Sequence, residues 1–245
     1  AIAAARAVNY RGAGTIEFLV DKYRHFYFLE MNTRLQVEHP ITEEVVGVDL
    51  VKEQLHVAGG EALRFKQEDL FQRGHAIECR ICAEDTENGF IPCPGIIRQL
   101  TEPNGIGVRI DSYVYEGYEI PLYYDPMIGK LIVWATNRQF AIERMRRVLY
   151  EFKITGLKTN ISYLRRIMYT PAFVKGEYDT SFLSKYSRSL QRSNGENEEI
   201  ENMAMIAAYV DYLFNLEENS PVRTTDSRPI SRWREFGLQK GVLRI

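Results

Sequence analysis

The spacing of apolar positions changes several times along the chain, and each change predicts an element. The opening AIAAARAVNY reads as a helix already under way, with no capping residue ahead of it. Gly12 and Gly14 punctuate a turn. Two aromatic-rich runs follow, TIEFLV at 15–20 and HFYFLE at 25–30, separated by the hairpin-length segment Asp21 to Arg24. Pairing Val20 with His25 across that loop sets Glu17 opposite Phe28, and diagonal to Glu30 on the same face. A helix over 42–58 comes next, capped by Thr42, with Glu43 and Glu44 in its first turn and Gly59 and Gly60 at its end.

From 74 to 135 the pattern becomes short alternating segments broken by Pro and Gly (GFIPCPG, EPNGIG, GYEIP), which predicts antiparallel sheet. Helical spacing returns at 139–152, with Phe140, Ala141, Met145, Val148, Leu149 and Phe152 on one stripe. A second amphipathic helix starts at Thr159 or Asn160 and runs to about Tyr169, before Pro171. The polar stretch 187–199 reads as a linker. Beyond it a helix over about 198–217 carries Met203, Ile206, Ala207, Val210, Leu213 and Phe214 on one side, and an irregular tail follows. The predicted class is α+β.

Composition narrows the function classes. The 245 residues suffice for a sizeable core, with 45% hydrophobic and 26% charged residues. Lys plus Arg number 31 against 33 Asp plus Glu, a net charge of −2, so no basic field points to nucleic acid or an anionic membrane. No apolar run approaches the roughly 18 residues a bilayer span needs, and no signal-peptide pattern opens the chain, so a cytoplasmic protein is expected. The start in mid-helix reads as a piece of a longer chain, with part of its site elsewhere.

Cys79 and Cys82 form a CxxC within HAIECRICAE. Its alternation sets Ala76, Glu78 and Arg80 against Ile77, Cys79 and Ile81 as on a strand, so the two sulfurs diverge. Packing thiols are the expectation, against a metal or redox pair.

The segment FLEMNTRLQVEHP, 28–40, carries the chemistry. Glu30, Asn32, Arg34, Gln36 and Glu38 fall at every second position, an assortment of acids, amides and a base that suits ions of both signs better than a solvent edge. Glu17 beside Glu30 would set two carboxylates within reach of one pair of divalent cations, with Asn32 supplying a neutral oxygen. Fully extended, 30–38 would span about 26 Å, so the strand is expected to curl after Asn32. Arg34 and Glu38 could then converge, as an oxyanion fork with a proton acceptor or simply as an ion pair.

GTIEFL, EMNTRLQVEHPITE, RGHAIECRICAED, YYDPMIGKLI and GLKTNI together resemble the C-terminal half of biotin carboxylase, the ATP-grasp enzyme of acyl-CoA and pyruvate carboxylases, over about residues 1–187. The resemblance implies the C-terminal part of an ATP-grasp domain at 1–70, a biotin carboxylase C-terminal domain of antiparallel sheet plus helices at 71–187, and a linker, amphipathic helix and tail at 188–245. It implies an ATP- and bicarbonate-dependent ligase that forms carboxyphosphate and carboxylates biotin held on a carrier protein. The cofactors would be ATP, Mg²⁺ or Mn²⁺, and carrier-bound biotin. The partners would be a second copy in a homodimer, the biotin carboxyl carrier protein and a carboxyltransferase subunit.

Carried over by position, Glu17 and Glu30 match the cation-binding carboxylates, with Asn32 beside them, and Leu19 matches an adenine-pocket residue. Arg34, Gln36 and the Val37 backbone match the bicarbonate cradle, and Glu38 matches the base that deprotonates bicarbonate. Arg109, in GIGVRID, matches an arginine that steadies the biotin enolate. Cys82 stands where the family commonly carries asparagine. The glycine-rich lid and phosphate-binding lysines of the family do not occur in these 245 residues, so this polypeptide alone is expected to turn over negligibly. Two other readings remain: a different ATP-grasp ligase, which would share Glu17, Glu30 and Asn32 but not need Arg34, Gln36 and Glu38 in this order, and a pure assembly module using the 198–217 helix.

Overall fold

The computed structural model describes residues 1–191 and 203–212. Residues 1–192 form one compact unit and 193–245 a second. In the first unit, helix α1 (Ile2–Ala7) leads into a two-stranded hairpin of β1 (Thr15–Val20) and β2 (Phe26–Asn32). The strands match the two predicted runs, but the register differs. Asp21 Oδ1 accepts the backbone N–H groups of Tyr23 (2.8 Å) and His25 (2.9 Å), and Asp21 N–H donates to the His25 carbonyl (3.0 Å), so the loop closes at five residues. Val20 therefore pairs with Phe26 rather than His25. A β-bulge then leaves Leu29 without a partner: Phe18 faces Phe28 but Glu17 faces Glu30. The two acids are direct cross-strand neighbours, not the diagonal pair expected.

The single helix expected over 42–58 is two. Helix α2 (His39–Val46) begins earlier than Thr42, with Glu38 at its N-cap and Pro40 in its first turn. It ends at Gly47, whose φ of 78° only glycine adopts without cost. Asp49 restarts the chain as α3 (Leu50–Ala58) by accepting the Lys52 N–H at 2.8 Å.

The predicted antiparallel region holds β3 (His75–Cys82), β4 (Glu84–Asp85), β5 (Ile91–Pro92), β6 (Gly95–Ile96), β7 (Gln99–Thr101), β8 (Val108–Ser112), β9 (Glu119–Ile120) and β10 (Met127–Ala135). The main sheet has the order β3-β10-β8, all antiparallel, and β4 with β5 and β6 with β9 make short ribbons. The last elements are α4 (Arg138–Glu151), β11 (Lys153–Thr155), which pairs with β7, α5 (Ile161–Tyr169), α6 (Pro171–Lys175), α7 (Phe182–Lys185) and α8 (Ser187–Leu190).

One face of the main sheet is the core. Ile77, Cys79, Ile81, Leu131, Val133 and Ala135 alternate inward against Ala141, Ile142, Met145, Val148, Leu149 and Phe152 of α4 and its C-cap. The expected α4 stripe is thus present with one exchange: Ile142 is in it, and Phe140 is 51% exposed. At 100° per residue Phe140 lies about 130° around the helix from the stripe's centre. Helix α5 starts after Asn160, as expected. The predicted linker does not begin at 187, because Ser187–Leu190 are helical, Leu190 is fully buried, and its carbonyl accepts Arg166 Nε at 2.6 Å. In the second unit residues 203–212, within the predicted 198–217 helix, are helical, with Met203, Ile206 and Val210 exposed. Leu213, Phe214 and the tail lie outside the described residues.

Candidate active site

The other face of the main sheet is polar. Alternation places Glu78 and Arg80 of β3, Lys130 and Ile132 of β10, and Arg109 and Asp111 of β8 on it, and α2 packs against this face. Segment 33–38 runs from the hairpin to α2, so the hairpin acids, the polar run after them and this sheet face form one continuous region.

At the hairpin end, Asn32 Nδ2 donates to Glu17 Oε1 (2.8 Å) and to Glu30 Oε1 (2.9 Å). Gln36 Nε2 donates to the same Glu17 oxygen at 2.9 Å, which requires the chain to turn back after Asn32, the curl the spacing called for. Arg34 joins from the side, with Nη2 on Asn32 Oδ1 at 3.5 Å and Nη1 on the Leu35 carbonyl at 3.3 Å. Leu19 shares the acid face two positions along β1, opposite Tyr27, and is exposed. The structure therefore brings together Glu17, Glu30, Asn32, Arg34 and Gln36, with Leu19 at their margin.

Glu38 has a different partner from the one expected. Its Oε2 accepts Arg80 Nη2 at 2.7 Å, and both side chains are about half exposed. Arg109 does not reach Glu38. It forks onto Asp111, with Nε to Oδ1 at 2.7 Å and Nη2 to Oδ2 at 2.9 Å, and its Nη1 donates to Glu43 Oε2 at 2.7 Å. The hydrogen bonds to Asp111 hold the guanidinium more firmly charged than usual. Burial alone would push the Asp111 carboxyl up, but Arg109 and Lys130 outweigh it and leave Asp111 below the usual range. Lys130 Nζ lies 3.3 Å from Asp111 Oδ2 and donates to the Val37 carbonyl at 3.4 Å.

Arg80, Glu78 and Lys130 were missing from the set of site residues read from the sequence. The signal was there: the strand period that separates Cys79 from Cys82 also lines Glu78 and Arg80 up on one polar face. Burial pushes the Glu78 carboxyl up to about 7, against the pull of Lys130 and Arg80, and its Oε2 is buried without a hydrogen-bond partner. Asn160, itself buried, clamps the strand beneath: Oδ1 accepts the Cys82 N–H at 2.9 Å and Nδ2 donates to the Arg80 carbonyl at 3.0 Å.

The thiols behave as packing groups. Cys79 is buried on the core face and Cys82 lies on the other, as the strand period requires, and burial pushes each up to about 12. Among the described residues no set of three His, Cys, Asp or Glu side chains is arranged to hold a metal. The Glu17–Glu30 pair is a two-carboxylate, oxygen-only donor set, which suits a hard divalent cation that takes its other ligands from phosphate and water.

Two family models match the chain: the biotin carboxylase C-terminal domain over residues 78–185, and the carbamoyl-phosphate synthase L chain ATP binding domain over 1–66. Biotin carboxylase of Nostoc sp. is 56% identical over 188 residues, covering 77% of this chain and 42% of that protein. A pyruvate carboxylase subunit of Methanothermobacter thermautotrophicus is 56% identical over 190 residues, covering 78% of this chain and 38% of the relative. The biotin carboxylase domain dimer of Hydrogenobacter thermophilus 2-oxoglutarate carboxylase, solved with MgADP, ADP and bicarbonate, superposes with a TM-score of 0.75 at 45% identity, over 78% of this chain and 42% of that one. The chain thus spans less than half the length of the relatives it matches.

Proposed function

The chain belongs to the biotin carboxylase family, as part of an ATP-grasp ligase, and from that premise we propose that it supplies the acid pair, the bicarbonate cradle and the base of an ATP-dependent biotin carboxylation site. The observation that carries this is the cluster in which one amide, Asn32, ties Glu17 to Glu30 while Gln36 returns to Glu17. We divide the chain at about residue 70 into an ATP-grasp part and a C-terminal domain, and move the start of the further segment from 188 to 193, since residues 187–190 pack as part of the first unit.

Mg²⁺ held by Glu17 and Glu30 would neutralise the phosphates of ATP. In this arrangement the Asn32 NH₂ faces both carboxylates and its Oδ1 faces Arg34, so a turn of the amide would present Oδ1 to the same cation. Leu19, on the acid face, offers an apolar contact for the adenine. Arg34, Gln36 and the Val37 backbone hold bicarbonate, the guanidinium supplying the planar fork an oxyanion takes. Glu38 accepts the bicarbonate proton as a bicarbonate oxygen bonds to the γ-phosphorus and the bond to ADP breaks, giving carboxyphosphate. Carboxyphosphate then breaks down to CO₂ and phosphate, and the CO₂ adds to N1 of biotin on the carrier protein as the N1 proton passes to the released phosphate.

Because Arg80 shares the ion pair with Glu38, we assign it the contact with the biotin ureido oxygen that the sequence reading gave to Arg109. Its guanidinium stands beside the base, whereas that of Arg109 is engaged by Asp111 and Glu43. The proposed partners are the carrier protein, a carboxyltransferase and a second copy of the same chain. Support comes from relatives that are carboxylase subunits and from a dimeric neighbour. No helix among the described residues is long and apolar enough to cross a membrane, and we place the activity in the cytoplasm. A polypeptide of these 245 residues alone is expected to turn over negligibly, since the nucleotide lid and phosphate-binding lysines of the family do not occur in it.

The test is Glu38→Gln in the complete enzyme, measured as bicarbonate-dependent ATP hydrolysis. Loss of the base should lower the rate by about 10²–10⁴. Unchanged hydrolysis removes the assigned base and the mechanism with it.

A further inference from the structure

Two adjacent backbone carbonyls, those of Gln36 and Val37, are each held by a side chain, and the two holders are linked through one circuit of polar and charged groups. His39 Nδ1 donates to the Gln36 carbonyl at 2.7 Å, and the other ring nitrogen, Nε2, lies 4.0 Å from Glu43 Oε2. That Glu43 oxygen accepts Arg109 Nη1 at 2.7 Å, and Arg109 forks onto Asp111 at 2.7 and 2.9 Å. Asp111 Oδ2 lies 3.3 Å from Lys130 Nζ, which returns to the Val37 carbonyl at 3.4 Å. The circuit starts on one peptide, crosses α2, β8 and β10, and closes on the next peptide.

A salt-bridge ring this size has no obvious use as a stability device, since partly buried ion pairs recover little beyond their desolvation. Its geometry serves position. Gln36 and Glu38 flank the held peptides; the Gln36 carbonyl also accepts the His39 backbone N–H in a turn at 3.3 Å, and both peptides lie in the loop ahead of α2 rather than inside a helix or strand. A cradle for a one-carbon anion needs its groups held to a fraction of an ångström, and residues in a loop acquire that precision only from supports of this kind.

We propose that Lys130 and Asp111 are positioning residues for bicarbonate, acting through the circuit to set the Gln36 and Val37 peptides and so the aim of Gln36 and Glu38. The inference rests on the functional reading above and deepens it. Glu78, Arg80 and Glu44 also face this region from β3 and α2. The ion pair of Arg80 with Glu38 fixes that carboxylate from the opposite side, so the base is held by its neighbours at both ends.

The experiment uses the complete enzyme with Lys130→Met, Lys130→Arg and Asp111→Asn. Two readouts are taken: steady-state kinetics of bicarbonate-dependent ATP hydrolysis, and hydrogen exchange of the peptide covering 34–41. Lys130→Met and Asp111→Asn should raise KM for bicarbonate about tenfold with KM for MgATP little changed. Exchange over 34–41 should quicken while β10 and α4 keep their protection, and Lys130→Arg should recover most of both effects. Variants that lose melting temperature but keep both the bicarbonate KM and the 34–41 exchange of the parent overturn the proposal, since the circuit is then merely structural. Parent enzyme whose ATP hydrolysis ignores bicarbonate sinks the functional reading instead. The exchange measurement then decides the circuit alone: unchanged 34–41 protection in the variants rejects it.

Discussion

Glu17 and Glu30 stand directly across the β1–β2 pair from each other, and one NH₂ group, that of Asn32, is hydrogen-bonded to both at 2.8 and 2.9 Å. Without a cation, two carboxylates at this separation repel, and the amide is the neutral group that keeps them together.

Replacing Asn32 by Ala should therefore do two things. In metal-free protein the hairpin loses two charge-assisted hydrogen bonds, worth about 1 kcal/mol at this exposure. In the complete enzyme KM for MgATP should rise about tenfold. The check is a thermal melt with and without Mg²⁺ beside the kinetics. A variant with parental melting temperature and parental KM would dissociate the acid pair from nucleotide binding.

Arg80→Met removes the cation paired with Glu38. Carboxylation of biotin should fall by about two orders of magnitude, as for loss of a group that stabilises charge in the transition state. Bicarbonate-dependent ATP hydrolysis should fall less, because the base itself remains. The two rates measured on one preparation give the answer, and undiminished biotin carboxylation would take Arg80 out of the site.

The Glu78 carboxyl, pushed by burial up to about 7, makes a signed prediction for stability. Its folded value lies above the unfolded one of about 4.5, so between those pH values the native state binds more protons than the unfolded one, and stability falls as pH rises through that window. Glu78→Gln should therefore match the parent near pH 4.5 and exceed it by about 1–2 kcal/mol at pH 8, allowing for solvent screening of a half-buried group. Denaturant titrations at the two pH values decide it. A difference independent of pH would show that the group does not titrate in this range.

Asn160→Ala leaves the Cys82 N–H and the Arg80 carbonyl without their side-chain partner. The expected cost is about 2 kcal/mol by chemical denaturation. Because the same clamp fixes the strand that carries Arg80, biotin carboxylation should drop together with stability. A stable variant would mean that the strand is held elsewhere.

The legible part of the fold was the part that periodicity governs. The alternation of HAIECRICAE, the α4 stripe and the start of α5 at Asn160 all follow from one residue's spacing to the next. What eluded the sequence was set by single residues acting against their surroundings. Gly47 breaks a run that otherwise continues as helix, and the Asp21 side chain delays the start of β2 by one residue through its grip on the loop amides. In the site, the residues of the 30–38 run could be picked out because unusual types recur at a fixed interval. Arg80 and Lys130 come from strands more than forty positions away, and only the packing of α2 on the sheet makes them neighbours of Glu38 and Val37. Arg109 was identifiable as a conspicuous charge, but its partners were not, since Glu43 and Asp111 lie on different elements.

The unpaired Leu29 gives the hairpin a form of phase control. An uninterrupted ladder continuing from Phe18 opposite Phe28 would bring Leu29 to Glu17 and turn Glu30 to the far side of the ribbon, with no change in amino-acid content or strand propensity. Deleting that leucine should therefore spare the acid pair, because Glu30 would step into the place across from Glu17 and nucleotide binding would outlive the bulge.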